Sequence, residues 1–157
     1  FSEDDIAMVR RSDTVVVAPT GMRKQLEDVD HLLRPGDLIQ LQGIDILAVP
    51  AYNLEKKFHP ADSGWLGYVF SLDAVTYFHA GHTDPLESMA GIRCDVAFIP
   101  CCSEYTMNPE EAVDMAERCG ASVLVPLHWD DNPNGQAEAE SMISHFSGTV
   151  ELLQRKT

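Results

Sequence analysis

The apolar positions of the chain fall into two kinds of short run. Residues 14–18, 95–99 and 122–127 are nearly continuous apolar stretches, stopped by Pro19, Pro100 and His128. Such runs read as strands buried on both faces. Residues 37–42 and 44–49 instead alternate apolar with polar about Gly43 and predict a hairpin. Residues 66–71 and 74–78 predict a second hairpin, turned at Asp73-Ala74, a weaker turn pair than Asp-Gly. Residues 149–153 read as a final strand.

Helical spacing marks other segments. Ser2 with Asp5 three residues on opens a short helix reaching about Arg11, and Thr20 is placed to cap another through Leu26. Asn108-Pro109-Glu110-Glu111 joins a capping residue, a first-turn proline and acids at the positive end of the helix dipole. The face beyond it carries Ala112, Val113, Ala116 and Cys119, and Gly120 ends the helix. Residues 136–146 predict a last helix with Met142, Ile143 and Phe146 inward. Hairpins succeeded by strand–helix–strand–helix–strand define an α/β class, a mixed sheet with packed helices. No repeat or linker divides the 157 residues, so one domain spans 1–157.

Composition narrows the function. Hydrophobic residues make up 45% and charged residues 23%, a globular mixture. The net charge of -14, from 25 acidic and 11 basic residues, excludes a nucleic-acid binder that tracks phosphates and opposes attraction to anionic lipid. No apolar run approaches the ~20 residues of a membrane span, and the acidic opening is unlike a signal peptide. The first residue is Phe1 rather than Met, so the chain is expected to begin part-way through a longer product. Cys94, Cys101, Cys102 and Cys119 lack C-x-x-C spacing and read as free thiols of a reducing, cytoplasmic setting.

Candidate chemistry gathers at strand ends. The strand at 74–78 runs out at Gly81 into a turn bearing His79, His82 and Asp84; the next leads to Cys101, Cys102 and Tyr105; a third ends at His128. Sites in α/β sheets form beyond the carboxyl ends of strands, so His82, Asp84 and His128 are expected to face one cleft. The alternative is a strand end with a solvated polar turn. Residues 50–64 have no period, and a connection that long is often functional. Cys101 and Cys102 read as buried thiols or soft-metal ligands, Trp65 and Trp129 as core cover or pocket mouth, His31 and His145 as surface residues, and Asp130-Asp131 as an acidic turn.

Across nearly its whole length the chain resembles the metallo-β-lactamase superfamily, and within it the ascorbate-6-phosphate-lactonase-like, metal-dependent hydrolases. The resemblance rests on Val49-Pro50-Ala51-Tyr52-Asn53, His59-Pro60, Gly64 to Tyr68, Tyr77 to Asp84, Tyr105-Thr106-Met107 with Glu110-Glu111-Ala112, and Val125-Pro126-Leu127-His128. It implies the larger part of an αββα sandwich, a divalent metal (zinc or manganese), and metal-bound hydroxide attacking an ester, lactone or phosphodiester-type small molecule.

Two departures qualify the resemblance. The family's H-x-H-x-D-H cluster is absent, and the opening residues resemble the family segment directly beyond that cluster, as in a C-terminal part cut just past it. His82 stands where the family has a bridging Asp. Two dications ~3.7 Å apart repel by roughly 18 kcal/mol at an effective dielectric of about 20, and a neutral imidazole does not offset this as a carboxylate does.

By the resemblance His128 matches the last metal-ligand His, His82 is a substitute ligand or an inactivating change, and His59 supplies a further imidazole or steadies its loop. Asn53 lies near a family ligand position and binds substrate or holds the loop. Asp84 orients an imidazole or forms the turn, Tyr105 bonds a substrate oxygen or closes its loop, and His79 supports the turn. The expected partner is a small-molecule substrate, with no nucleic acid and no membrane. A half sandwich with one open face predicts a homo-oligomer or pairing with the missing N-terminal segment. The rival expectation is a degenerate, non-catalytic module of the same fold.

Overall fold

The computed structural model describes residues 2–130 and 133–153; Asp131, half of the expected acidic turn, lies outside them. The chain opens with helix α1 (Glu3–Val9), whose start is fixed by the Ser2 hydroxyl accepting the Asp5 amide at 3.2 Å. Strands β1 (Val17–Pro19) and β2 (His31–Leu33) pair in parallel as a separate two-stranded sheet.

The main sheet takes its strands in chain order: β3 (Leu38–Leu41), β4 (Ile44–Pro50), β5 (Leu66–Leu72), β6 (Val75–His79), β7 (Val96–Pro100), β8 (Val123–Leu127) and β9 (Thr149–Val150). The pairs from β3 to β6 are antiparallel and those from β6 to β9 parallel. Connection length explains the switch, because tight turns reverse a strand whereas a parallel neighbour needs a crossover. Helix α2 (Pro109–Arg118) joins β7 to β8, and helix α3 (Gly135–His145) joins β8 to β9. A full capping box starts α2: Asn108 accepts the Glu111 amide and Glu111 accepts the Asn108 amide, both at 2.9 Å.

The turn at Gln42-Gly43 has φ of 52° and 82°, the geometry that matches sheet twist. Asp73-Ala74 adopts the same left-handed pair at 50° and 63° with no glycine to accommodate it. The core lies between the main sheet and the two longer helices, with Phe78, Ile99, Leu124, Met89, Met107 and Met142 wholly enclosed.

The structure departs from the sequence pattern in several places. The apolar run at 14–18 gives only the short, half-buried β1, because β2 is its single pairing neighbour among the described residues. Thr20 opens a 3-10 turn (Thr20–Lys24) without a side-chain cap, and β2 has no counterpart among the predicted strands. Ile143 points outward at 52% exposure: Met142 and Phe146, four apart, share the inner face, and a residue one step on is rotated toward solvent. The final strand is two residues long. Among the described residues no helix is long and apolar enough to cross a membrane.

Candidate metal centre

Three segments deliver imidazoles to one corner of the main sheet. His82 comes after the end of β6 and Gly81, whose φ of 72° turns the chain. A Cβ at Gly81 would lie 2.8 Å from the Leu66 carbonyl oxygen, so only glycine fits this crossing. His79 supports the turn, its Nδ1 accepting the Gly81 amide at 3.2 Å while its ring stacks on Phe98 at 5.9 Å. His128 is the first residue past β8, and His59 comes from the long loop between β4 and β5. Their ring centroids lie 4.3 Å apart for His59 and His82 and 4.5 Å for His82 and His128. Trp65 backs the cluster, its ring 4.3 Å from His59.

The backbone is unusual at two of these positions. His59 (φ 61°) and His128 (φ 64°) both occupy the left-handed region, which non-glycine residues seldom enter. Backbone of this kind concentrates at functional sites, where the surrounding structure enforces it.

A hydrogen-bonded frame ties the loops together. Thr83 is fully enclosed; its hydroxyl donates to the Tyr52 carbonyl at 3.0 Å and accepts the Tyr52 amide at 3.2 Å. Asp84 accepts the Leu54 amide at 2.9 Å and forms an ion pair with Lys56, so it clamps the loop rather than facing the rings. Asn53, 5% exposed, donates through its amide to the carbonyls of Phe58 and Tyr105, both at 2.8 Å, joining the His59 loop to the segment after β7. Tyr105 sits at the rim, edge-on to Phe58 at 5.8 Å, and Glu104 accepts its phenol and holds the phenol pKa above the usual range.

Electrostatics keep the rings ready for a cation. Burial, then the neighbouring His128 and His59, hold His82 down to about 4. Burial and His128 also lower His59. Both rings are therefore neutral at pH 7, the form that ligates metals. The Nδ1 atoms of His59 and His82 are buried and lack a hydrogen-bond partner, as does the Oδ1 of Asn53. Unpaired buried nitrogens are costly, and a cation would satisfy them.

The donor chemistry thus fits a divalent metal, while the arrangement is incomplete. Among the described residues no set of three or more His, Cys, Asp and Glu side chains is set to chelate an ion. His82 packs edge-on against His128, and the side chains must rotate before all three address one centre. Hollows of about 460 to 560 Å³ lie beside α1 and around Thr20, Arg23–Asp28 and Arg34, and none is lined by these imidazoles.

His59, His82, His128, Asn53, Asp84 and Tyr105 are all brought into one neighbourhood. Cys101 and Cys102 are buried free thiols, and Trp129 is core. Two members of the frame, Thr83 and Lys56, do not stand out in the sequence. The run of polar residues in His82-Thr83-Asp84 is the available signal for the first, and Lys56 offers none.

An antiparallel-to-parallel sheet backed by helices, with imidazoles at strand ends, defines a metallo-β-lactamase-type fold. The chain belongs to the beta-lactamase superfamily domain family, whose model matches residues 4–129. It is 41% identical over 89 residues to a UPF0173 metal-dependent hydrolase of Methanoculleus marisnigri, covering 54% of this chain and 38% of that protein. A UPF0173 metal-dependent hydrolase of Thermococcus kodakarensis is 29% identical over 139 residues, covering 83% of this chain and 62% of that one. The matches therefore span less than two thirds of these relatives' own length. The crystal structure of a metal-dependent hydrolase from Parabacteroides distasonis superposes with a TM-score of 0.82 at 27% identity, covering 99% of this chain and 71% of the other.

Proposed function

We propose that this chain supplies the imidazole wall of a metal-dependent hydrolase acting on a small ester, lactone or phosphodiester, with the lactonase-like branch as the nearest chemistry. The observation that carries the reading is the meeting of His59, His82 and His128 from three separate segments, with two buried ring nitrogens left unsatisfied. The relatives' shared description as metal-dependent hydrolases supports it.

His59, His82 and His128 would hold the ion, zinc or manganese, and imidazole donors suit zinc well. A divalent cation bound there lowers the pKa of water from about 15.7 to about 7 and polarises a carbonyl or phosphoryl oxygen. Asn53 fixes the spacing between the His59 loop and the Tyr105 segment. Tyr105, protonated at neutral pH, presents a phenol at the rim to a substrate oxygen. Asp84 acts through the loop it clamps. The four free thiols go with a cytoplasmic setting, and the exposed Met8 and Val9 on α1 with pairing to a second copy.

Titration calorimetry with Zn²⁺ and Mn²⁺ on the chain and its His59→Ala, His82→Ala and His128→Ala variants tests the site. Turnover of aryl esters, lactones and bis-nitrophenyl phosphate by the metal-loaded protein tests the activity. Each variant is expected to bind the ion at least tenfold more weakly; unchanged binding in all three would reject the reading.

The incomplete chelating set and the imidazole at position 82 favour a second reading, a non-catalytic binding module. Metal bound with no turnover on any of these substrates, and no turnover gained by His82→Asp, would select it.

A further inference from the structure

Away from the imidazoles, two of the four buried thiols face each other. Cys94 stands just ahead of β7, and Cys119 caps the C-terminal end of α2. Their side chains interact, and the Cys94 amide donates to the Cys119 carbonyl at 3.0 Å. Covalent geometry around that bond keeps the two Cα atoms within about 7 Å, a separation a disulfide can span. Both residues are interior, at 6% and 2% exposure, so the contact is held by packing rather than made by chance encounter.

The two sulfurs are not equivalent. The neighbouring Cys94 side chain lowers the Cys119 pKa, and the guanidinium groups of Arg93 and Arg118 lower it further against the opposing effect of burial. Arg93 is fixed there by its Nη1 donating to the Arg118 carbonyl at 3.2 Å. The same thiol contact, and burial, raise Cys94. By contrast Cys101 is pushed up to about 12 by burial and by Glu138. Cys119 also lines a small hollow beside Leu86, Met89, Met115 and Arg118, with about 10 Å³ of room, enough for one molecule near the size of water.

We propose that Cys94 and Cys119 are a dithiol–disulfide couple, a site of reversible oxidation by hydrogen peroxide (ROOH with R = H) in which Cys119 reacts first. The Cys119 thiolate attacks the terminal peroxide oxygen; the O–O bond breaks, a sulfenic acid forms, and RO⁻ leaves and takes up the proton released when Cys119 ionised, giving ROH, so sulfur is oxidised by two electrons and the peroxide is reduced. The Cys94 sulfur then attacks the Cys119 sulfur; the S–S bond forms, the S–O bond breaks, and hydroxide leaves with the Cys94 proton as water. The sum is two thiols and ROOH giving one disulfide, ROH and H₂O. The closed loop encloses β7 and α2 and ties the entrance of the strand to the exit of the helix.

Hydrogen peroxide titration of the intact chain, read by whole-protein mass and peptide mapping, tests this. The expected result is a loss of about 2 Da, reversed by a phosphine, with a cross-link joining the peptides that contain residues 94 and 119. The oxidised form should melt about 5–10 °C higher because the loop is closed. Cys94→Ser should stop at a sulfenic acid on Cys119, which dimedone captures when the oxidised protein is unfolded in its presence, and the Cys101→Ala/Cys102→Ala variant should oxidise like the wild type. Met8, 77% exposed, serves as an internal gauge of peroxide strength. Sulfoxide at Met8 with no loss of mass from the thiols, a bridge mapped to another pair, or dimedone on Cys101 or Cys102 instead of Cys119 would overturn the proposal.

Discussion

The ring of His82 meets that of His128 edge to face, 4.5 Å between centroids, although the two residues leave different strands. Protonation of His82 is opposed by repulsion from His128 and from His59, whose ring centroid lies 4.3 Å away.

That crowding predicts a pH dependence. His82 is held at about 4, below its ordinary value of 6.5, by burial first and then by His128 and His59. Between pH 6.5 and 4 the unfolded chain therefore binds more protons than the folded one, so stability is complete above 6.5 and falls as pH drops through the window. His59 shifts the same way. The loss should be about 1–2 kcal/mol for His82 once solvent screening at a half-exposed ring is allowed for. Urea unfolding of chelator-treated protein should show it, and His82→Gln should flatten that stretch of the curve; an unchanged slope contradicts the assignment.

The left-handed backbone at His128 can be separated from its side chain. Asparagine enters this conformation more readily than alanine, so His128→Asn should be more stable than His128→Ala by about 1 kcal/mol. Zinc affinity should fall in both. Equal stabilities would mean that the backbone relaxes when the imidazole is removed.

Asn53→Ala leaves the carbonyls of Phe58 and Tyr105 without the amide that joins them. The expected destabilisation is about 2 kcal/mol. Because His59 rides on the same loop, hydrogen exchange should quicken around residues 53–64 and metal affinity should drop without any ligand being touched. Exchange that stays slow there would show that other contacts hold the loop.

Asp84→Asn removes the charge opposite Lys56 but keeps an acceptor for the Leu54 amide. A cost of about 1–2 kcal/mol is expected, and Lys56→Met in the same chain should recover much of it. If the double variant is as unstable as the sum of the single ones, the two side chains are not coupled.

Ala74 holds φ at 63° in the tight turn between β5 and β6. Ala74→Gly should raise stability by about 0.5–1 kcal/mol, because relief of the left-handed strain exceeds the added freedom of the unfolded chain. A shift in the denaturation midpoint at constant slope is the measure.

Much of the main sheet is legible in the residue pattern alone. Alternation about Gly43 and the capping box at Asn108 are local signals that need no partner, and the structure obeys both. The two-strand sheet of β1 and β2 is not legible, since an apolar run does not say what will cover it. Ile143 faces solvent against expectation because hydrophobicity in a short helix does not fix its rotation on the sheet. At the candidate site, His82 and His128 can be placed by the strands that end beside them. The approach of His59 and the pairing of Lys56 with Asp84 cannot, because residues 50–64 lack a period and their contacts are decided by side chains distant in sequence.

The neighbour-by-neighbour order of the seven strands has a consequence for synthesis. Each strand can dock on the one made just before it, so the sheet can grow as the polypeptide emerges from the ribosome, with no wait for a distant segment. The imidazoles arrive on different schedules, the last of them only after β8. A nascent chain would thus acquire a stable platform well before it gained any capacity to capture a cation.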